Sequence, residues 1–190
     1  MAERFVRGRT LFVLGVTTMK FNVAQLLKAP PGTSREHDLD DDIAGIDKDV
    51  EVGKPLVGRV RLLRIGDGIL VTGNLSTEVN VPCRRCLASV AVPVEFHLEE
   101  EFRPSIDVET GRPLPLEEDQ DEATRTDAHH MLDLTEVVRQ DLLLALPMSA
   151  LCRPDCRGLC PVCGQNLNEG PCNCQPVGGD PRLAALRDLL

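Results

Sequence analysis

Apolar and polar residues alternate along two long stretches in the middle of the chain. From Ile69 to Val81 the odd positions are mainly apolar and the even positions mainly polar. The same period of two returns further along, where the apolar side chains are Ala88, Val90, Val92, Val94, Phe96, Leu98 and Phe102. Because successive side chains of a strand point to opposite faces, this pattern predicts two half-buried antiparallel strands.

A third predicted strand precedes these two and makes the sheet a meander. It covers residues 56–65 and reaches the next strand through Gly66-Asp67-Gly68, residues that tolerate the positive φ angles of a tight turn. Residues 33–49 are polar and predict a loop or an irregular edge strand. Pro93 lacks a backbone donor and falls on the polar face, which places its strand at a sheet edge or at a bulge.

Short helices are predicted on both sides of these strands. The stretch FNVAQLLKAPPG, residues 21–32, has Asn22 as a possible N-cap and ends at two prolines. A second helix begins after Asp133 and ends before Pro147, and a third begins at Asp180. The apolar stripe of the second helix is Leu134, Val137, Val138, Leu142 and Ala145, and that of the third is Leu183, Leu186 and Leu190.

Six of the eight cysteines lie within CRPDCRGLCPVCGQNLNEGPCNC, residues 152–174. The eight form four close pairs, Cys83/Cys86, Cys152/Cys156, Cys160/Cys163 and Cys172/Cys174. A close pair can bring two thiolates to one ion, and two pairs complete a tetrahedral zinc site. Disulfides, a redox-active C-x-x-C and an iron–sulfur cluster are the alternatives, but the sequence gives no sign of an oxidising compartment or of a C-x-x-C that opens a helix. We therefore predict one or two structural zinc ions, with all eight thiols as ligands.

The sequence leaves the pairing of these ligands open, because four pairs combine into two sites in three ways. Short loops cost less to close, which favours Cys152, Cys156, Cys160 and Cys163 as one site. The four histidines lie outside the cysteine-rich stretch, and His129-His130 are predicted to be surface residues.

Three regions are predicted along the chain. Residues 1–19 are expected to be a disordered leader or a start assigned too far upstream, since the apolar run from Leu11 to Val16 is shorter than a signal-peptide core. Residues 20–150 form a domain with an acidic loop near 99–127, and residues 151–190 form a cysteine-rich zinc module with the last helix. The predicted fold class is therefore α+β, an antiparallel β-meander with short flanking helices and a C-terminal zinc-binding cysteine module.

The net charge of −9 is unevenly distributed. Residues 99–127 contain eleven acidic and three basic side chains, whereas residues 52–96 contain six basic and three acidic ones and could face an anionic partner. No stretch approaches the roughly 20 apolar residues of a membrane span, and we expect a cytoplasmic protein with reduced thiols. No phosphate-loop, dinucleotide-binding, metalloprotease or catalytic-triad motif is apparent, and we expect no small-molecule substrate.

Several segments, in their order, resemble one protein family. These are FNVAQLLKAPPGTSREHDL near the start, VPCRRCL at the strand turn and DLLLALPMSALCRPDCRGLCPVCGQNLNEGPCNC at the cysteine cluster. Together they cover residues 20 to about 176 and are similar to the YceD-like proteins, described as large ribosomal RNA subunit accumulation proteins. The resemblance implies a bacterial, non-enzymatic factor that supports 23S rRNA accumulation or processing and large-subunit assembly. The implied partner is rRNA or a pre-large-subunit particle, with a ribosomal protein as a further possibility.

Arginines of the two cysteine turns and of the meander are the candidate RNA contacts, since guanidinium groups bind phosphates. The candidate residues are Arg59, Arg61, Arg64, Arg84, Arg85, Arg153 and Arg157. The scarcity of aromatic residues, five Phe with no Trp or Tyr, disfavours an aromatic platform for stacked bases. Two alternatives remain open, a zinc-stabilised module that binds only proteins and a thiol oxidoreductase.

Overall fold

A computed structural model describes residues 19–115 and 121–175 of the chain. The strands are β1 (Lys20–Asn22), β2 (Ser34–Asp41), β3 (Glu51–Ile65), β4 (Gly68–Pro82), β5 (Ser89–Phe102) and β6 (Met131–Asp133). The helices are α1 (Ala24–Leu27) and α2 (Thr135–Ala145), with one 3-10 turn at Glu122–Thr124. Strands β2, β3, β4 and β5 form one antiparallel sheet in that order, and β1 pairs with β6 in a second, two-stranded sheet.

The antiparallel meander predicted from the alternating pattern is confirmed. Strands β3 and β4 meet at a tight turn where Ile65 is paired with Gly68, and β4 and β5 pair along their whole length. The polar stretch after residue 33 forms β2, the edge strand that the sequence left as one of two possibilities. Strand β5 lies at the opposite edge, as Pro93 predicted.

One core lies on the inner face of the four-stranded sheet. Most of the odd-numbered residues of β4 are buried there, including Ile69, Val71 and Val79, and Leu98 and Phe102 of β5 are buried beside them. Helix α2 packs against β5 and adds to the same core. Its predicted apolar face is confirmed, because Leu134, Val137, Val138 and Leu142 are buried. Asp133 Oδ1 accepts a hydrogen bond from the Thr135 amide at 2.9 Å, while Glu136 pairs with Arg139.

The first predicted helix is much shorter than the sequence suggested. Only Ala24–Leu27 is helical, and Asn22 belongs to β1, where it pairs with Met131. The Oδ1 atom of Asn22 still accepts a hydrogen bond from the Ala24 amide, at 3.2 Å. The prediction over residues 21–32 was wrong in extent because pairing with a strand more than a hundred residues away overrides local helix propensity.

The first residues of the acidic segment form part of a strand, whereas the sequence predicted a loop. Residues 99–102 belong to β5, and the chain then turns through residues 103–115, where Arg103 forms an isolated bridge with Arg125. Residues 1–18 and the helix predicted from Asp180 lie outside the described residues. Among the helices that the described ranges contain, none is long and apolar enough to cross a membrane.

Gly73 allows β3 and β4 to approach closely, and replacing it provides a test of the core. A Cβ at Gly73 would lie 2.6 Å from the Arg59 carbonyl oxygen and 2.9 Å from Val60 Cγ1. We expect Gly73→Ala to lower the free energy of unfolding by about 1–3 kcal/mol, the usual cost of overpacking. The neighbouring Thr72→Ala is the control and should change stability by about 0.5 kcal/mol or less. Equal denaturation midpoints for the two variants would contradict this packing.

Candidate metal centres

The eight thiols meet as two groups of four. The first centre consists of Cys83, Cys86, Cys152 and Cys156, and the second of Cys160, Cys163, Cys172 and Cys174. Within each group all four Sγ atoms lie within 4.8 Å of one another. All eight cysteines are free thiols.

The spacing of the sulfurs fits a tetrahedral metal ion. Four thiolates at a Zn–S distance of about 2.3 Å place their sulfurs about 3.8 Å apart. In the first centre, Cys83 Sγ lies 3.9 Å from Cys156 Sγ, and Cys86 Sγ lies 3.6 Å from Cys152 Sγ. A disulfide would need about 2.05 Å. The two groups can therefore hold metal ions.

The pairing predicted from loop length was wrong. Cys152 and Cys156 do not join Cys160 and Cys163; they join the pair at the β4–β5 turn. The reason is that the sheet places this turn beside the segment after α2, where Cys83 bridges Ala150 and the Arg84 amide donates to the Ala150 carbonyl at 3.0 Å. Each doubling of loop length adds only about 0.6 kcal/mol to closure, so pre-positioning by the sheet outweighs the advantage of a short loop.

The second centre is local to the C-terminal segment. Its C-x-x-C turn closes through the Gly164 amide, which donates to the Cys160 carbonyl at 2.9 Å, and through the Cys160 amide, which donates to the Gln165 carbonyl at 2.8 Å. Gly164 has a φ of 74°, in the left-handed region that glycine adopts without strain. The other two ligands, Cys172 and Cys174, come from the next few residues and are half-buried.

Backbone amides favour the thiolate form of one cysteine in each centre. The amides of Arg85 and Cys86 point at the Cys83 sulfur and lower its pKa to about 6. The amides of Cys163 and Val162 lower the pKa of Cys160 to about 6 in the same way. Neighbouring thiols have the opposite effect on Cys152 and Cys174, whose pKa values are raised to about 12. Metal ligation requires all four thiols of a centre to be deprotonated, and a bound cation supplies the charge that allows it.

The first centre has a small core of its own. Cys83, Cys86 and Cys156 are buried, and Val90, Leu151 and Leu159 pack against them. Asn168 Nδ2 donates to Cys156 Sγ at 3.3 Å, and Asn168 Oδ1 accepts from the Arg157 amide at 2.8 Å. The side chain of Asn168, a residue that the sequence gave no reason to select, therefore links the segment between Cys163 and Cys172 of the second centre to the first centre.

Four of the seven candidate arginines lie at the first centre. Arg84 and Arg85 belong to its turn and Arg153 and Arg157 to the facing loop, and all four are exposed. Arg85 also supports the centre, because its Nη1 donates to the Cys156 carbonyl at 2.9 Å.

The other three candidates lie on the sheet. Arg59 is paired with Asp38 at 2.7 Å and with Glu36, and Arg64 donates to the carbonyls of Ile65 and Gly68 within its own hairpin. Arg61 is exposed on β3. The structure thus brings together the arginines near the cysteines and leaves those of β3 apart from them.

Leu87 is a second residue that sequence reasoning missed. It follows the C-x-x-C of the first centre, has a φ of 61° and is 66% exposed. The signal was present in the sequence, because CRRCL has leucine at the position where CPVCG has Gly164.

Comparisons with known proteins bear on the whole arrangement. The sequence profile of the family described as large ribosomal RNA subunit accumulation protein YceD matches residues 71–190. An uncharacterised protein of Mycobacterium tuberculosis is 32% identical over 177 residues, which are 90% of this chain and 81% of that protein. The uncharacterised protein YlbN of Bacillus subtilis is 29% identical over 119 residues, 61% of this chain and 63% of YlbN.

A plant protein carries a more informative name over a shorter match. The large ribosomal RNA subunit accumulation protein YCED homolog 1, chloroplastic, of Zea mays is 39% identical over 46 residues, 24% of this chain and 16% of the maize protein. No solved structure matches the chain. The profile covers more than half of the residues, both centres among them, and the chain therefore belongs to the YceD family.

Proposed function

We propose that this protein is a non-enzymatic, cytoplasmic ribosome-biogenesis factor that supports the accumulation and processing of 23S rRNA. Its partner is rRNA or a pre-large-subunit particle, and the contact is made by the arginines around the first centre. The observation that carries this proposal is the convergence of Arg84, Arg85, Arg153 and Arg157 on one metal-binding cluster. The name of the family, and that of its maize member, supports the choice of large-subunit rRNA as the partner.

The geometry of these arginines suits phosphate binding. Arg84 is exposed and makes one long hydrogen bond, from Nη1 to Ser149 Oγ at 3.3 Å. No side chain within residues 19–115 and 121–175 pairs with the Arg157 guanidinium, which is also exposed. Guanidinium groups with unused donors on a rigid turn can bind phosphate oxygens in a fixed geometry. Arg59 is less suited, since two carboxylates already neutralise it.

We propose zinc as the metal, with one structural ion at each centre. Zinc prefers four thiolates in a tetrahedron when its role is structural, whereas a catalytic zinc keeps an open position. Each centre supplies four cysteine sulfurs at suitable spacing. A bound ion would cross-link the β4–β5 turn to the segment after α2, and the residues between the ligands would then be displayed on a rigid frame.

Burial of the low-pKa thiols argues against the thiol oxidoreductase alternative. A redox-active cysteine needs a thiolate that a substrate can reach. Cys83 and Cys160, whose pKa values are about 6, are buried, whereas the exposed Cys152 has a pKa raised to about 12.

The acidic outer face of the sheet favours a second candidate function, binding of a basic protein such as a ribosomal protein. The acidic edge of that face is formed by Glu95, Glu99 and Glu101 of β5, whereas Glu36 and Asp38 of β2 are paired with Arg59. Such a surface would repel RNA and attract a cationic partner. The acidic face and the arginine cluster are separate surfaces, so contacts with both partners are compatible.

Metal analysis tests the zinc proposal. Protein purified under reducing conditions should contain two zinc ions per chain, because each centre has a complete set of four thiols. Cys172→Ser should reduce the content to about one ion and leave the first centre intact. Cys86→Ser should also leave about one ion but lower the melting temperature more, since the first centre joins distant parts of the chain. Metal-free protein with oxidised cysteines would contradict the proposal.

Charge reversal tests the RNA contact. We expect the double variant Arg84→Glu with Arg157→Glu to weaken binding to a 23S rRNA transcript by more than about tenfold and to reduce the slope of log K against log salt by about two. Arg59→Glu introduces the same kind of change on the sheet and should have a small effect. Equal losses for the two variants would indicate a general charge effect and contradict a defined site.

Depletion in the organism of origin tests the role itself. Loss of the protein should lower 23S rRNA and free large subunits relative to 16S rRNA and small subunits, as measured by RNA quantification and sucrose-gradient profiles. Unchanged ratios of the two subunits would refute a function in large-subunit assembly.

A further inference from the structure

The two C-x-x-C turns of the molecule have the same backbone geometry. In the first, the Leu87 amide donates to the Cys83 carbonyl at 2.9 Å; in the second, the Gly164 amide donates to the Cys160 carbonyl at 2.9 Å. The residue after the last cysteine is left-handed in both, with φ of 61° at Leu87 and 74° at Gly164. The second turn shows that this position requires no side chain, and glycine is the residue that fits it without strain.

Leucine at this position is unfavourable for folding. A branched side chain in the left-handed region is strained, and burial does not offset the strain because Leu87 is 66% exposed. His130 is the other non-glycine residue with a positive φ in the described part of the chain. Backbone strain that persists without a packing benefit is a mark of functional positions.

The surroundings of Leu87 indicate what it contacts. The arginines of the same turn, Arg84 and Arg85, are exposed beside it. Ser149, which accepts a hydrogen bond from the Arg84 side chain, follows the fully exposed Met148 in sequence. A partner for this surface must offer anionic groups and apolar faces a few ångströms apart. Unpaired RNA does so, because each exposed base lies beside its phosphate.

The chain has few other means of contacting a base. It contains no Trp or Tyr, and none of the three phenylalanines in its described part, Phe21, Phe96 and Phe102, is exposed. An aliphatic side chain can contact a base beside the guanidinium groups of the turn, as leucine and methionine do when they wedge between bases in other nucleic-acid complexes. Of the exposed large apolar residues, Leu87 is the one that belongs to the arginine-bearing turn.

We infer that Leu87 is an RNA-contacting residue that packs against an unpaired base while the neighbouring arginines bind the flanking phosphates. This inference rests on the proposed function and assigns to the same site a preference for single-stranded or bulged rRNA. A turn held by a metal ion would keep Leu87 in its strained conformation, with its side chain exposed to solvent and able to contact a base.

Three substitutions at Leu87 separate RNA contact from folding. Leu87→Gly removes the strain and should raise the melting temperature by about 2–4 °C. The same variant should weaken binding to a 23S rRNA transcript about tenfold, within the range measured for the loss of one base contact. Leu87→Asn tolerates the left-handed backbone but is polar, so it should also lose binding. Leu87→Met retains an apolar side chain and should bind like the unsubstituted protein. Binding to a fully paired RNA duplex should be the same for all of them.

Three outcomes of the RNA-binding measurements would contradict the inference, and each identifies a different part of it as wrong. If Leu87→Gly binds the transcript as tightly as the unsubstituted protein while the Arg84/Arg157 double variant does not, RNA binding stands and the role of Leu87 is refuted. If neither variant changes RNA binding, the proposed RNA contact fails as well. If Leu87→Gly weakens transcript and duplex binding equally, Leu87 does not read an unpaired base. Unchanged zinc content in every Leu87 variant is the control for an intact first centre.

Discussion

The first centre connects two parts of the chain that the backbone brings together at only a few points. Cys83 and Cys156 are 73 positions apart, yet their sulfurs lie 3.9 Å from each other. Around them Val90, Leu151 and Leu159 provide little apolar cover. A small cluster of this kind cannot by itself stabilise the fold of a segment rich in glycine, proline and polar residues. Four thiolates on one bound cation would supply the missing stabilisation, and the display of the residues on the β4–β5 turn and the facing loop would then depend on it.

The sheet and its core determine where this cluster forms. Strands β4 and β5 pair without interruption as far as Pro82 and Ser89, so their turn is held at a fixed place at one end of the sheet. Helix α2 packs on the core through Val138 and Leu142, and the segment that follows its C-terminus lies beside that turn. The metal ligands are thus brought close by ordinary burial of apolar surface. The hydrophobic core positions the thiols, and the thiols then fix the segments that the core does not reach.

Charge is separated along the molecule in a way that agrees with this division. Four arginines surround the first centre, whereas carboxylates of β5 line one edge of the outer sheet face. Although the net charge of the protein is −9, the surface around the first centre is cationic and can orient an anionic partner toward one end of the protein. Leu87 lies within that surface, and its strained backbone is held by the hydrogen bond from its amide to the Cys83 carbonyl and would be held further by a metal ion on Cys83 and Cys86. Rigidity, positive charge and an exposed apolar side chain coincide at one turn.

The sequence by itself determined the elements whose pattern is local. Period-two alternation identified β4 and β5, the Gly66-Asp67-Gly68 turn connected a third strand to them, and the apolar spacing after Asp133 identified α2, because burial on one face produces a periodic pattern of apolar residues. The spacing of the cysteines identified the four close pairs for the same reason, since a short turn can bring two thiols close enough to share one ion. Tertiary structure alone decided which pairs share a centre, how short α1 is and which arginines meet. These features depend on contacts between residues far apart in the chain. Because the free-energy cost of closing a loop rises only logarithmically with its length, the spacing of residues in the sequence does not indicate which distant residues will meet.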